Sequence, residues 1–90
     1  MIVLKMGDKG VKLITRNEEI KFPAYVVKEI DPTGAGDCFC GTFLGMMDIG
    51  YDTQTAVEYA NAAGALHVTN QGGMENNPTI KEIEQFIKNN

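Results

Sequence analysis

Cysteine and histidine are scarce in this chain: Cys38 and Cys40 are its two cysteines and His67 its one histidine, in 90 residues. A structural zinc site draws about four Cys or His ligands, and these three do not supply it. Cys38 and Cys40 stand two apart in a segment that reads as helix. They point to different faces, which excludes a disulfide between them. Both read as buried, reduced thiols that fill small gaps, in keeping with a cytoplasmic setting. No apolar run approaches the ~20 residues that span a bilayer. No charged-then-apolar leader precedes a cleavage site. Neither a membrane nor export is therefore expected. Eight basic and twelve acidic residues are interspersed, for a net charge of −4. There is no Lys/Arg stripe, so nucleic acid is not expected as a partner. Repeats, low-complexity runs and domain-dividing linkers are also lacking. Hydrophobic residues make up 43% of the chain, which argues against disorder. One small domain with a modest core fits these bounds.

What is present falls into strands, then helices. Ile2–Met6 is an apolar run ended by Gly7 and reads as a buried strand. Gly7-Asp8-Lys9-Gly10 is a turn. Residues 11–15 alternate and read as a second strand; Arg16 to Glu19 is a polar turn. Ile20–Phe22 makes a third strand, stopped by Pro23. Asp31 precedes Pro32, which biases it toward an extended conformation. The spacing predicts a first helix from about Gly34 to Ile49, with Gly50 at its C-terminal end. Gly36, Cys40, Gly41 and Gly45 make that helix slim. Glycine inside a helix costs roughly 1 kcal/mol against alanine, so the pattern predicts another backbone close by. A second helix starts at Asp52 or Thr53, either of which can cap it. It runs past Ala56, Ala60, Ala63 and Gly64, also slim, to about Thr69. A third begins at Thr79, where Glu82 completes a capping box. Ile80, Ile83, Phe86 and Ile87 form its apolar face.

The stretch with most chemical content is Asp31-Pro32-Thr33-Gly34-Ala35-Gly36-Asp37. Three small residues stand where a loop becomes a helix, and a carboxylate follows. The first N–H groups of a helix have no partners inside it and lie at its positive end. Gly34, Ala35 and Gly36 let an anion approach them. Asp37 then stands within reach of whatever the anion is bonded to. A phosphate in the cradle and a hydroxyl at Asp37 would give phosphoryl transfer to an alcohol. Ordinary helix-start chemistry produces the same four residues, so they do not decide the matter alone.

The run Asp31 to Leu44 resembles the C-terminal signature of the ribokinase-like, PfkB-type carbohydrate kinases. Asp31, Gly34-Ala35-Gly36-Asp37, Phe39, Gly41, Phe43 and Leu44 carry the resemblance. Thr42 departs from it, standing where the family usually has Gly or Ala. Val3 to Gly10 looks like the family's strand and Gly-x-x-Gly turn. Ala60 to Leu66 looks like its Ala-rich helix beside the nucleotide, Val68 to Gly73 like the loop after that helix, and Pro78-Thr79 like its usual ending. The resemblance implies an α/β fold: a C-terminal fragment of a ribokinase-like three-layer fold, with short strands followed by three helices. Residues 1–90 would be the nucleotide-binding portion, with the N-terminal substrate-binding part absent. The Ile2–Met6 strand would normally have parallel neighbours in a larger sheet. Its open apolar edge and face predict self-association.

The implied activity is ATP-dependent phosphorylation of a sugar or sugar-acid hydroxyl, carried out by the intact enzyme and not by this chain alone. A nucleoside or vitamin kinase of the same superfamily is the alternative for substrate. A non-catalytic remnant that binds nucleotide or a partner is the alternative in kind. Asp37 would be the base and Gly34, Ala35 and Gly36 the anion hole. Gly7 and Gly10 would let their loop pass close to the nucleotide, or are a plain hairpin turn. Asn61 would lie by the adenine or ribose, or bond locally; Gly64 belongs to the same helix face. Asp31, with backbone carbonyls of Thr33, His67, Asn70 and Gly72, would hold K+, or Asp31 caps a turn. Mg2+ would arrive on the ATP. No catalytic role is expected for the His67 ring.

Overall fold

The computed structural model describes residues 1–27, 34–69 and 78–90. Strands β1 (Ile2–Lys5), β2 (Val11–Ile14) and β3 (Glu19–Phe22) form an antiparallel sheet in the order β1-β2-β3. A single 3-10 turn, Gly7–Lys9, joins the first two. Helices α1 (Ala35–Asp48), α2 (Thr53–Val68) and α3 (Ile80–Asn89) follow.

Register decides which strand residues face the helices. Val3 opposes Leu13, which opposes Ile20; Lys5 opposes Val11, which opposes Phe22. Directly paired residues share a face, so these six lie on one side of the sheet. That side meets the first core cluster, in which Val11 and Leu13 pack with Phe39 of α1 and with Val57 and Ala60 of α2. Val3, Ile20 and Phe22 close around it. The other side carries Ile2, Leu4, Lys12, Ile14, Glu19 and Lys21. There Lys12 and Glu19 form an ion pair at 2.6 Å.

This corrects the expectation of a buried first strand. Ile2 and Leu4 are 58% and 46% exposed. Among the described residues the helices pack on one face of the sheet, so alternation along β1 turns every second residue outward.

Helix α2 lies between the other elements. One side completes the first cluster. Its Ala62 and Ala63 enter a second cluster with Cys38 of α1 and Ile83 of α3. Alanines suit this position because helices can approach them from both sides. The Cys38 thiol donates to the Ala63 carbonyl at 3.6 Å, within the α1–α2 contact. Burial pushes the Cys38 thiol up, and the Thr42 hydroxyl beside it pulls the other way. Thr42 thus contacts the thiol one turn away on its own helix. Cys40 is exposed, contrary to the expectation that both thiols are buried. Two positions along a helix is a turn of about 200°, which takes the second thiol off the packed face.

The slim-helix expectation holds for one helix position and fails at another. A Cβ on Gly64 of α2 would touch the Ala35 carbonyl of α1 at 3.7 Å, an ordinary contact between close helices. A Cβ on Gly45 would meet nothing within 4 Å. Gly45 therefore answers to no neighbouring backbone among the described residues.

Helix ends follow their local signals. Asp52 caps α2, its carboxylate accepting from the Thr55 N–H at 3.3 Å. Gly50 follows α1 with φ +102. Thr79 and Glu82 form the reciprocal capping box at the start of α3. The rings of Tyr25 and Phe86 of α3 meet edge to face at a centroid distance of 5.0 Å, which seats the segment after β3 on that helix.

Candidate functional site

An open cavity of about 560 Å³ lies where the turn after β1, the first turn of α1 and the middle of α2 converge. Lys5, Gly7, Gly10, Ala35, Asn61 and Gly64 are among the residues that line it. Four of these, Gly7, Gly10, Asn61 and Gly64, are the positions expected beside a nucleotide. Ala35 belongs to the expected anion hole. Residues far apart in the chain are thus brought to one wall.

Each has a local reason for its place. Gly10 has φ +94, and a Cβ there would fall 2.1 Å from the Phe22 carbonyl oxygen. The close pass of the β3 end requires glycine, independently of any ligand. Gly7 has φ +60 with open space around it. Asn61 donates its side-chain N–H to the Pro23 carbonyl at 3.1 Å, linking α2 to the end of β3. The bond expected as the alternative for Asn61 is local; the one present instead spans 38 positions of chain. The side chain lines the cavity as well, and an amide has a second N–H and an acceptor oxygen.

The start of α1 is built as the sequence suggests. Gly34 is the N-cap, in the left-handed region at φ +80. Its carbonyl accepts the first helical bond, from the Cys38 N–H at 2.9 Å. The N–H groups of Ala35, Gly36 and Asp37 precede that bond and have no acceptor within the helix. Asp37 stands exposed in this first turn and does not line the cavity. The His67 ring, buried in the last turn of α2, approaches Gly34: a Cβ there would lie 3.3 Å from Nε2. The histidine therefore shapes the loop-to-helix junction with its ring, a contact that the sequence does not announce.

Of the five residues expected around a monovalent cation, Asp31, Thr33, Asn70 and Gly72 lie outside the described residues. Among the described residues no cluster of three or more His, Cys, Asp or Glu side chains could hold a metal. No helix among them is long and apolar enough to cross a membrane.

Lys5 also lines the cavity, although no motif assigns it a role. Its ammonium lies 4.9 Å from the centroid of the Phe39 ring. The signal that could have found it is strand register, which puts a lysine on the apolar side of the sheet.

Known proteins share this architecture. An Escherichia coli ribokinase II candidate, solved with ATP and Mg2+, superposes with a TM-score of 0.89 at 43% identity, covering 98% of this chain and 29% of its own. A double-mutant fructokinase from Vibrio cholerae O395, with fructose, ADP and potassium bound, gives 0.80 at 34% identity, covering 93% of this chain and 29% of its own. The fold is thus that of the ribokinase-like kinases, represented by three strands and three helices. A family model described as pfkB family carbohydrate kinase matches residues 1–80, and the chain belongs to that family. A Salmonella typhi deoxyribokinase is 33% identical over 89 residues, which are 99% of this chain and 29% of the relative. The chain spans less than a third of the length of these relatives.

Proposed function

We propose that the chain is the nucleotide-side portion of an ATP-dependent carbohydrate kinase acting on a sugar or sugar-acid hydroxyl. The observation that carries this reading is the convergence of Gly7, Gly10, Ala35, Asn61 and Gly64 on one open cavity beside the start of α1. In the reaction, Asp37 orients the acceptor hydroxyl and takes its proton. The acceptor oxygen bonds to the γ-phosphorus as the bond to the β-phosphate oxygen breaks, and ADP leaves. The transition state is loose, so orientation and a late proton acceptor suffice. The N–H groups at Gly34, Ala35, Gly36 and Asp37 stabilise the charge that spreads over the phosphoryl oxygens. Magnesium bound with ATP supplies charge neutralisation on the phosphates. Asp31 and the carbonyls of Thr33, His67, Asn70 and Gly72 are proposed to hold the monovalent cation. Because the chain spans 29% of its relatives, the isolated chain is proposed to bind nucleotide without turning it over.

The test is calorimetric titration of the chain with ATP, with and without magnesium and potassium. Gly36→Val, whose new side chain would fill the approach to the helix start, is expected to abolish binding. Asp37→Asn is expected to retain it, and to slow a full-length enzyme that carries this segment by about 10²–10⁴-fold. Undiminished ATP binding by Gly36→Val, or near-normal turnover with Asp37→Asn, would falsify the assignment.

A further inference from the structure

The described helices begin in two different ways. Asp52 and Thr79 stand at the starts of α2 and α3, and each side chain accepts a backbone N–H of its own first turn. A capping side chain of this kind holds a helix start by using up an N–H. Helix α1 begins instead on Gly34, which has no side chain to cap with. Its backbone is left-handed at φ +80, and glycine moves readily between the left- and right-handed regions. A start built this way keeps its N–H groups for other acceptors, but its N-cap does nothing to hold it.

The hold comes from α2. Gly64 and His67 are three apart on that helix and share a face. A Gly64 Cβ would touch the Ala35 carbonyl at 3.7 Å, and a Gly34 Cβ would lie 3.3 Å from His67 Nε2 and 3.6 Å from Cε1. Two successive residues, Gly34 and Ala35, thus rest on one face of the last turns of α2. The edge of the imidazole borders the space that a side chain on Gly34 would take. Among the described residues, His67 is the one buried polar residue. Ala56, Ala60, Ala62 and Ala63 serve at other buried positions of α2. An alanine at 67 would end at its Cβ, short of the N-cap.

We propose that His67 is a positioning residue: its ring braces Gly34 in place of a capping side chain, so that α1 starts firmly while the N–H groups of Ala35, Gly36 and Asp37 stay available to a phosphate. The brace works by shape and needs no charge on the ring. The proposal rests on the nucleotide reading above and adds to it the residue that keeps the anion hole in place.

Amide hydrogen exchange of the chain, as wild type, His67→Ala and His67→Phe, is the test. The Cys38 N–H donates to the Gly34 carbonyl at 2.9 Å, so its exchange reports release of the N-cap. The equivalent first bonds of α2 and α3, from Ala56 to Asp52 and from Ile83 to Thr79, serve as controls. His67→Ala is expected to speed Cys38 exchange by about 5- to 30-fold, the size of a lost cap, and to leave the controls unchanged. Phenylalanine keeps a ring at the contact and is expected to recover most of the protection. In calorimetric titration, ATP is expected to bind His67→Ala more weakly by a similar factor and His67→Phe nearly as it binds wild type. Cys38 exchange within twofold of wild type in His67→Ala would overturn the proposal. So would equal acceleration at all three amides, which marks damage to the fold, and so would His67→Phe behaving as His67→Ala does. Undiminished ATP affinity in a His67→Ala chain whose Cys38 amide is released would overturn it as well. A folded wild type that binds no ATP, with Cys38 alone released in His67→Ala, would support the brace while removing the nucleotide reading.

Discussion

Gly10 and Gly45 are the same residue for opposite reasons. Gly10 holds a left-handed backbone against the carbonyl of Phe22, with no room for a Cβ. Alanine there is expected to cost about 2 kcal/mol or more, from backbone strain and the clash together. Gly45 lies in α1 with open space beside it. Alanine there is expected to stabilise the fold by about 0.5–1 kcal/mol, through helix propensity alone. Urea midpoints of the two variants check this pair. An unshifted midpoint for Gly10→Ala, or a fall for Gly45→Ala, would show the local geometry to be wrong. Sequence alone does not separate these glycines, because a glycine looks identical whether it avoids a neighbour or merely lacks one. Lys5 is illegible for a related reason: the motif around it is local, whereas its meaning comes from β2, β3 and α1.

Helix α3 shows the reverse situation, an element readable almost entirely from its own residues. The Thr79 hydroxyl accepts from the Glu82 N–H at 3.2 Å, and the Glu82 carboxylate accepts from the Thr79 N–H at 2.9 Å. The backbone bond from Thr79, aided by its side chain, lowers the Glu82 carboxyl below its usual 4.5. A group lowered in the folded state favours folding in its ionised form. Its contribution is complete above the usual value and is lost as pH falls through the lowered one. Thr79→Ala is expected to destabilise the chain by about 1 kcal/mol near neutrality. The stability gap between wild type and Glu82→Gln, read by circular-dichroism melts, is expected to be present at neutral pH and to close at acid pH, once the carboxyl is protonated in the folded state as well. A gap of the same size at both values would remove the carboxylate from the account. The caps at Asp52 and Thr79 and the stop at Gly50 were legible because each is settled within one turn of chain. The burial of β1 was not, because it depends on which face of the sheet the helices cover. Hydrophobic content alone cannot distinguish Val3, which packs against the first core, from Ile2 and Leu4, which turn outward.

For the molecule as a whole, α2 is the element on which the rest depends. It meets the sheet and α1 through one cluster, α1 and α3 through another, and the end of β3 through Asn61. The candidate site inherits this arrangement, since its walls come from the turn after β1, from α1 and from α2. The order of motifs showed which segments would meet. The meeting itself needed the fold, and the segments around Asp31 and Asn70 lie outside the described residues. The contrast between the two thiols of α1 has a kinetic consequence. Cys40 is open to an alkylating reagent, while Cys38 is enclosed against Ala63 with its thiol pushed up, which leaves it inert. Mass spectrometry of the chain in iodoacetamide is therefore expected to show one rapid adduct and one slow one, the slow rate rising with urea. Two rapid adducts would mean that α1 does not stay seated on α2. With one adduct delayed, the second thiol times each separation of the two helices, and its rate measures how long the helix bearing Asp37 remains docked.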